Sequence, residues 1–360
     1  MPKFLCQTFC LFLFLHYSTC AKASTLIFFG SIDGKFYALN AETGKKRWEF
    51  SAGSSINASP IVDDDKVYFG SYNGKLYALH TKSGKLKWVF TAAESIQSSP
   101  ALVKGILYVG CTDGHFYALD AETGVQKWVV QLEGAVRSTP TIANQRIYVS
   151  SGYGSLYALD ALTGVQRWVY ENQGGFTSCQ VSGGQVYVGN TDYSVYALDA
   201  LTGEQKWEFK TKGAVVSSPF VKDGVLFVGS YDHKLYALNA KTGTQRWAVE
   251  FGQTVGSSPV AADKLVYVGS FDGHLYAVDE QSGQIKWAFR SRGSISAGSP
   301  VVANGLIYIG SNDNYLYAVD ALTGTKKWEF KTGGFVIGSP VVVKKGIVLG
   351  DYSTISGVKQ

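Results

Sequence analysis

The sequence predicts an all-β chain, an eight-bladed β-propeller of four-stranded antiparallel blades, and three observations carry that expectation. Eight tryptophans fall at positions 48, 88, 128, 168, 207, 247, 287 and 328, at intervals of 40, 40, 40, 39, 40, 40 and 41 residues. Within each interval, four short apolar runs alternate with turn residues. The 360 residues include 41 Gly, 22 Tyr and 20 Phe, and no long stretch follows the 3.6-residue period of an amphipathic helix.

One repeat shows the elements in order. Ser99-Pro100-Ala101-Leu102-Val103 reads as the first strand, Ile106-Leu107-Tyr108-Val109 as the second, Phe116-Tyr117-Ala118-Leu119 as the third and Lys127-Trp128-Val129-Val130 as the fourth. Lys104-Gly105, Thr112-Asp113-Gly114 and Ala121-Glu122-Thr123-Gly124 supply the turns between them, with Gly at places where other side chains would resist positive φ. The Ser/Thr-Pro pair that opens seven of the eight repeats belongs on the innermost, channel-lining edge, where a missing N–H is tolerated.

Counting strands predicts how the ring closes. The eighth Ser-Pro strand, Gly338-Ser339-Pro340-Val341-Val342, comes at the C-terminus, whereas the first complete blade begins near Asn57. The last strand is therefore expected to join Leu26–Gly30, Lys35–Leu39 and Arg47–Phe50 in one blade, leaving no open edge. Both Leu26–Gly30 and Gly346–Gly350 carry the second-strand pattern, so two segments compete for one place.

Residues 1–23 read as a secretory signal peptide and 24–360 as a single propeller domain. Lys3 precedes an apolar stretch from Phe4 to Tyr17, and Ala21-Lys22-Ala23 offers small residues for cleavage. The stretch is too short to span a bilayer. Cys20 raises lipidation as an alternative, although Tyr17 and Thr19 fit a lipobox poorly. The expected location is periplasmic or secreted, with an outer-membrane lipoprotein through Cys20 as the variant.

Removing Lys3 and Lys22 from the 33 basic residues leaves 31 against 28 acidic ones, which gives no sign of a nucleic-acid partner. Cys111 and Cys179 remain after cleavage and sit two blades apart, so free thiols are expected rather than a disulfide.

The segment Ala118-Leu119-Asp120-Ala121-Glu122-Thr123-Gly124-Val125-Gln126-Lys127-Trp128 resembles the A-x-D-x-x-T-G-x-x-x-W docking motif of the PQQ-like β-propeller repeat family, and all eight repeats carry a version. Asn40, His80 and Asn239 replace the Asp, and Ser83 and Ser282 replace the Thr. The resemblance covers residues 25 to 350. It implies that Trp48, Trp88, Trp128, Trp168, Trp207, Trp247, Trp287 and Trp328 wedge between blades and stack on the glycine turn of the next motif, a structural duty. Family members include quinoprotein dehydrogenases and the outer-membrane assembly lipoprotein BamB, so the resemblance allows either an enzyme or a scaffold.

Function is then sought where the repeats differ. Three residues before each Pro position, at the channel mouth, stand Asn57, Gln97, Arg137, Thr177, Val216, Gly256, Ala297 and Ile337. Four consecutive polar positions around one cation suit a small anionic or hydroxylated ligand, or an acidic peptide. Cys179-Gln180 replaces Ser/Thr-Pro in the fourth complete repeat, so Gln180 adds an amide near the channel. Tyr72, Tyr231 and Phe271 share one variable turn slot on the same rim, where exposed aromatics suit a protein partner.

Asp33, Asp113, Asp192, Asp232, Asp272 and Asp313 recur in turns, where a short carboxylate binds its own backbone. His115 and His274 lie on distant blades, so no metal is expected. No Cys-Cys pair and no long insertion is present to cover a quinone. The expected protein is an exported, non-catalytic and monomeric scaffold without a cofactor, binding an envelope protein or peptide. A PQQ- and calcium-dependent dehydrogenase and a small-ligand sensor or carrier are the alternatives.

Overall fold

The computed structural model describes residues 25–152, 154–296, 298–344 and 347–349. The expected signal peptide with Cys20, and Gly346 and Gly350, lie outside the described residues. Seven blades run from the channel outward in chain order, the first as Ile61–Asp63, Lys66–Gly70, Lys75–His80 and Leu86–Thr91. The inner strands of blades 2 to 7 are Ala101–Val103, Thr141–Ala143, Gln180–Ser182, Phe220–Lys222, Val260–Ala262 and Val301–Ala303. Val341–Lys344 is the inner strand of blade 8 and pairs with Leu26–Gly30, followed outward by Lys35–Asn40 and Lys46–Ser51.

Local chemistry explains each blade. The inner hairpins of blades 2 to 7 turn on two residues with positive φ, such as Lys104 at 49° and Gly105 at 74°, the geometry that matches the right-handed twist of the flanking strands. Second and third strands are covered on both faces by neighbouring blades and are apolar almost throughout, as in Val67-Tyr68-Phe69. Outer strands expose alternate residues and turn Trp and Phe inward, as Trp48 and Phe50 do.

The tryptophans join the blades. The turn glycines Gly44, Gly84, Gly124, Gly164, Gly203, Gly243, Gly283 and Gly324 have φ between 67° and 76°, and the preceding blade's indole lies 2.6 to 3.0 Å from where a Cβ would stand. Seven indole N–H groups donate to a carbonyl of the next motif; Trp48 bonds Thr81 at 2.8 Å, and Trp328 bonds Ala41 at 3.0 Å across the closure. Trp128 Nε1 has no partner among the described residues. The Asn and Ser variants of the motif keep its bonds, for Asn40 Oδ1 accepts from the N–H and hydroxyl of Thr43 at 2.8 and 2.9 Å.

A second set of bonds runs around the channel. The N–H of Ser59 donates to Ser99 Oγ at 2.9 Å, Thr139 to Ser178 at 2.8 Å, Ser218 to Ser258 at 2.9 Å, and Ser299 to Ser339 at 2.8 Å. Ser339 in turn donates to Ser59 at 2.9 Å, across the closure of the ring. The hydroxyls of Ser59, Ser99, Ser178, Ser258 and Ser339, each at the place before a Pro position, therefore link blades.

The Thr139–Ser178 bond corrects the alignment of blade 4. Ser178, not Cys179, takes the place of the Ser or Thr before Pro, and Gln180 pairs with Tyr187 as Thr141 pairs with Tyr148. Cys179 thus occupies the Pro position, and the missing residue of the 39-residue interval falls in the preceding loop. Thr177 N–H donates to Gly189 O, and its Oγ accepts from Gly189 N–H at 3.0 Å. Ser217 Oγ likewise accepts from Gly229 N–H at 2.8 Å. Thr177 therefore stands one place inside the mouth position to which simple counting assigns it.

The two competing C- and N-terminal segments are both used. Leu26–Gly30 takes the second place with the ordinary register, Phe28 facing Val341 as Tyr68 faces Ile61. Ile347–Leu349 adds a fifth strand on the channel side of Val341–Lys344. Its register begins with Lys344 facing Ile347, whereas the ordinary hairpin would begin at Val343. Successive residues of an antiparallel strand direct their N–H and C=O groups to alternate edges. A return delayed by one residue therefore comes back on the opposite edge.

Candidate functional site

The loops that enter each inner strand and the turns between second and third strands share one face, around the mouth of the channel. Their backbones interlock: Tyr72 N–H donates to Ser55 O at 3.0 Å, and Tyr231 N–H to Ala214 O at 2.8 Å. The turn aspartates reinforce this. Asp33 accepts from Lys35 N–H at 2.9 Å, Tyr37 Oη at 2.6 Å and the N–H of Gly333 on the adjoining loop at 2.8 Å. Asp232 and Asp313 repeat that arrangement with Lys212 and Arg292 N–H, both at 2.9 Å. Burial, reinforced by these carboxylates, raises the phenols of Tyr37, Tyr236 and Tyr317 above the ordinary range.

The polar half of the mouth does not converge on one point. Asn57 Nδ2 donates to Tyr72 Oη at 2.9 Å, and Gln97 Nε2 donates to Ser95 Oγ at 3.0 Å. Thr177 is engaged inside the loop, as above. Arg137 alone of the four is exposed, on the edge of a recess of 530 Å³ lined also by Thr112, Asp113, Gly134, Ala135 and Gly152. Gln180 is buried; its Oε1 accepts from Val221 N–H and its Nε2 lies 3.5 Å from Val221 O. Its amide therefore ties blade 4 to blade 5.

The rim aromatics separate into two places. Tyr231 and Phe271, on adjacent blades 5 and 6, meet edge to face with ring centroids 5.9 Å apart, and they are 40% and 38% exposed. Gly256 lies beneath them, and a Cβ there would stand 2.9 Å from Phe271 Cε2 and 3.4 Å from Tyr231 Cε1. Tyr72 is four blades away, on blade 1. Phe335, 40% exposed, lies at the same level beside blade 8. Counting by slot misses it because it comes from an entry loop rather than a turn.

Cys111 and Cys179 are buried and free, and burial pushes their thiols up to about 11 and about 12. Each turn histidine stays with its own aspartate, His115 Nδ1 3.0 Å from Asp113 and His274 Nδ1 3.2 Å from Asp272. Among the described residues no three His, Cys, Asp or Glu side chains gather so as to hold a metal ion.

Two family models match the chain. One described as the β-propeller of beta-alanine-activating enzyme matches residues 14–224, and one described as outer membrane protein assembly factor BamB matches residues 195–331 and 242–358. The first spans more than half of the sequence. The chain belongs to this PQQ-like β-propeller family. Among solved structures, this PQQ-like propeller resembles BamB from Moraxella catarrhalis, with 20% identity, a TM-score of 0.71, and 82% of this chain and 95% of that chain covered. It also resembles a europium-containing methanol dehydrogenase, with 16% identity, a TM-score of 0.72, and 82% and 83% covered. A quinohemoprotein alcohol dehydrogenase from Comamonas testosteroni follows with 17% identity, a TM-score of 0.69, and 80% and 70% covered. At these identities the likeness concerns the fold alone. No curated protein matches the sequence, and no helix among the described residues is long and apolar enough to cross a membrane.

Proposed function

We propose that this PQQ-like propeller is an exported, non-catalytic binding protein of the cell envelope that holds a protein partner on its mouth face. The observation that carries the reading is the Tyr231–Phe271 pair, two large aromatic rings exposed side by side on a rim whose backbone is pinned by the interlocked loops. Aromatic side chains on a rigid platform are the common anchors of protein interfaces, because they offer large contact area at small entropic cost. The fate of the polar groups supports it too. The turn aspartates and Gln180 bond the protein's own backbone, which leaves little converging side-chain chemistry of the kind a catalytic centre requires.

The test is a pull-down from detergent-solubilised envelopes with the native protein and with Tyr231→Ala/Phe271→Ala. A partner captured by the first and lost by the second is expected. Capture unchanged by the double substitution would place the partner elsewhere. Oxidation of an alcohol or sugar by the protein supplied with PQQ and calcium, read with a dye acceptor, would overturn the non-catalytic reading.

A further inference from the structure

The charge on the mouth face is unevenly distributed. On the entry loops and outer-strand ends of blades 1 to 3, the charged residues are the acids Glu94, Glu133 and Glu171 together with Arg137. From blade 4 to blade 7 the equivalent places hold Lys210, Lys212, Arg290, Arg292 and Lys331, with Glu250 as the acid among them. Glu250 faces Lys234 at 3.6 Å, Lys210 is engaged by Glu208 at 2.8 Å, and Arg292 by Glu329 at 2.8 Å. Lys212 and Arg290 make no ion pair among the described residues.

The aromatic pair lies within this cationic arc. Lys212 belongs to the loop laid against the Tyr231 turn, because its N–H binds Asp232 at 2.9 Å. On the other side Phe271 borders a recess of 190 Å³ lined also by Asp272, Arg290, Ser291, Arg292 and Ser294. Asp272 is the one acid there, and it is held by His274 N–H at 2.9 Å and Tyr276 Oη at 2.8 Å. The Arg292 guanidinium lies 4.6 Å from the Tyr315 ring centroid, so it is placed at the edge of the recess by packing as well as by charge.

Resting on the reading of the mouth as a protein-binding face, we propose that its partner is an acidic peptide segment. An apolar or aromatic side chain lies on Tyr231 and Phe271, and a carboxylate within a few residues enters the recess beside Arg290 and Arg292. The apolar contact supplies the anchor, and the cations select against basic or neutral segments, since like charges facing each other at an interface are costly. Carboxylate suits this place because a planar guanidinium binds it with two parallel hydrogen bonds.

The experiment is selection of a random dodecapeptide display library on the native protein, followed by fluorescence anisotropy of the enriched peptides. Peptides with Asp or Glu within three or four positions of a large apolar residue are expected. Their affinity is expected to fall about ten-fold with Phe271→Ala, and by a similar factor with Arg290→Glu, while Arg290→Lys retains most of it. Raising ionic strength from about 0.05 M to about 0.5 M weakens binding severalfold if the carboxylate contact is present. Peptides lost with Phe271→Ala but untouched by Arg290→Glu and by salt would overturn the acidic partner and leave the binding face standing. Basic or uncharged consensus peptides would do the same. Enriched peptides indifferent to every mouth substitution, or no enrichment at all, would overturn both.

Discussion

Replacing Gly44 by Ala tests whether indole stacking or turn conformation makes the docking glycine necessary. Gly44 has φ of +69°, and a Cβ there would lie 2.8 Å from Cδ2 and Cε3 of Trp328. Carbon atoms settle at about 3.5–4.0 Å, so the indole must withdraw by roughly 1 Å. Overfilling a packed contact costs about 1–3 kcal/mol, and the bond from Trp328 Nε1 to Ala41 O, 3.0 Å, contributes about 1 kcal/mol more when strained or lost. A left-handed residue with a Cβ adds about 1–2 kcal/mol. Gly53 supplies the control, because its φ is +77° and nothing lies within 4 Å of its would-be Cβ. Gly53→Ala therefore pays the conformational part alone, and the two variants should differ by about 2–4 kcal/mol. Urea unfolding followed by tryptophan fluorescence reads this directly. With m of about 3 kcal/mol/M the midpoints should differ by roughly 0.7–1.3 M. Equal midpoints, or a lower one for Gly53→Ala, would refute stacking as the reason for the glycine.

Three further outcomes follow from particular residues. Gln180→Pro, the substitution that simple counting of repeats would suggest, should lower stability by about 2–4 kcal/mol because it orphans the Val221 backbone. Cys179→Pro, at the true Pro position, should cost at least about 1 kcal/mol less, and thermal denaturation of the two ranks them. Cys111 and Cys179, buried with thiols pushed up to about 11 and about 12, should resist a disulfide reagent at about pH 8 until guanidinium unfolds the chain; prompt reaction of either thiol in the native protein would contradict their burial. Asp160, beside Arg167 and the Thr163 backbone, and Asp320, bonded by Thr323 and Lys327, are both lowered to about 2. Their folded values lie below the unfolded value of about 3.9, so the stability they contribute is present above about pH 4 and is lost as pH falls towards 2. Asp160→Asn/Asp320→Asn should keep the turns, as Asn40 does, and flatten that part of the stability–pH curve; an unchanged slope would exclude these carboxylates as its source.

The propeller is legible because its determinants are local and repeated: a tryptophan every fortieth residue, a glycine turn to receive it and a hairpin signal between strands. What escapes plain counting is displaced by single residues. Between Gln180 and Tyr187 there are seven steps, but between Pro140 and Tyr148 there are eight. Counting back from the second-strand tyrosine rather than forward from the tryptophan would therefore have located the gap ahead of Ser178 and removed Thr177 from the mouth. The same arithmetic pairs the aromatics, since Tyr231 and Phe271 stand 40 residues apart and Tyr72 lies 159 residues before Tyr231. Equal slots one period apart are neighbours, and slots four periods apart face each other across the channel. No such count foretells that Asn57 gives its amide to Tyr72 or that Ile347–Leu349 returns on the channel side. Both depend on which way a backbone edge or a side chain points after the ring has closed. The cationic arc has yet another character: each Lys or Arg in it is an ordinary surface residue within its own repeat. It becomes a feature only when four successive blades are laid side by side, with Lys212 and Arg290 on either side of two adjacent rings.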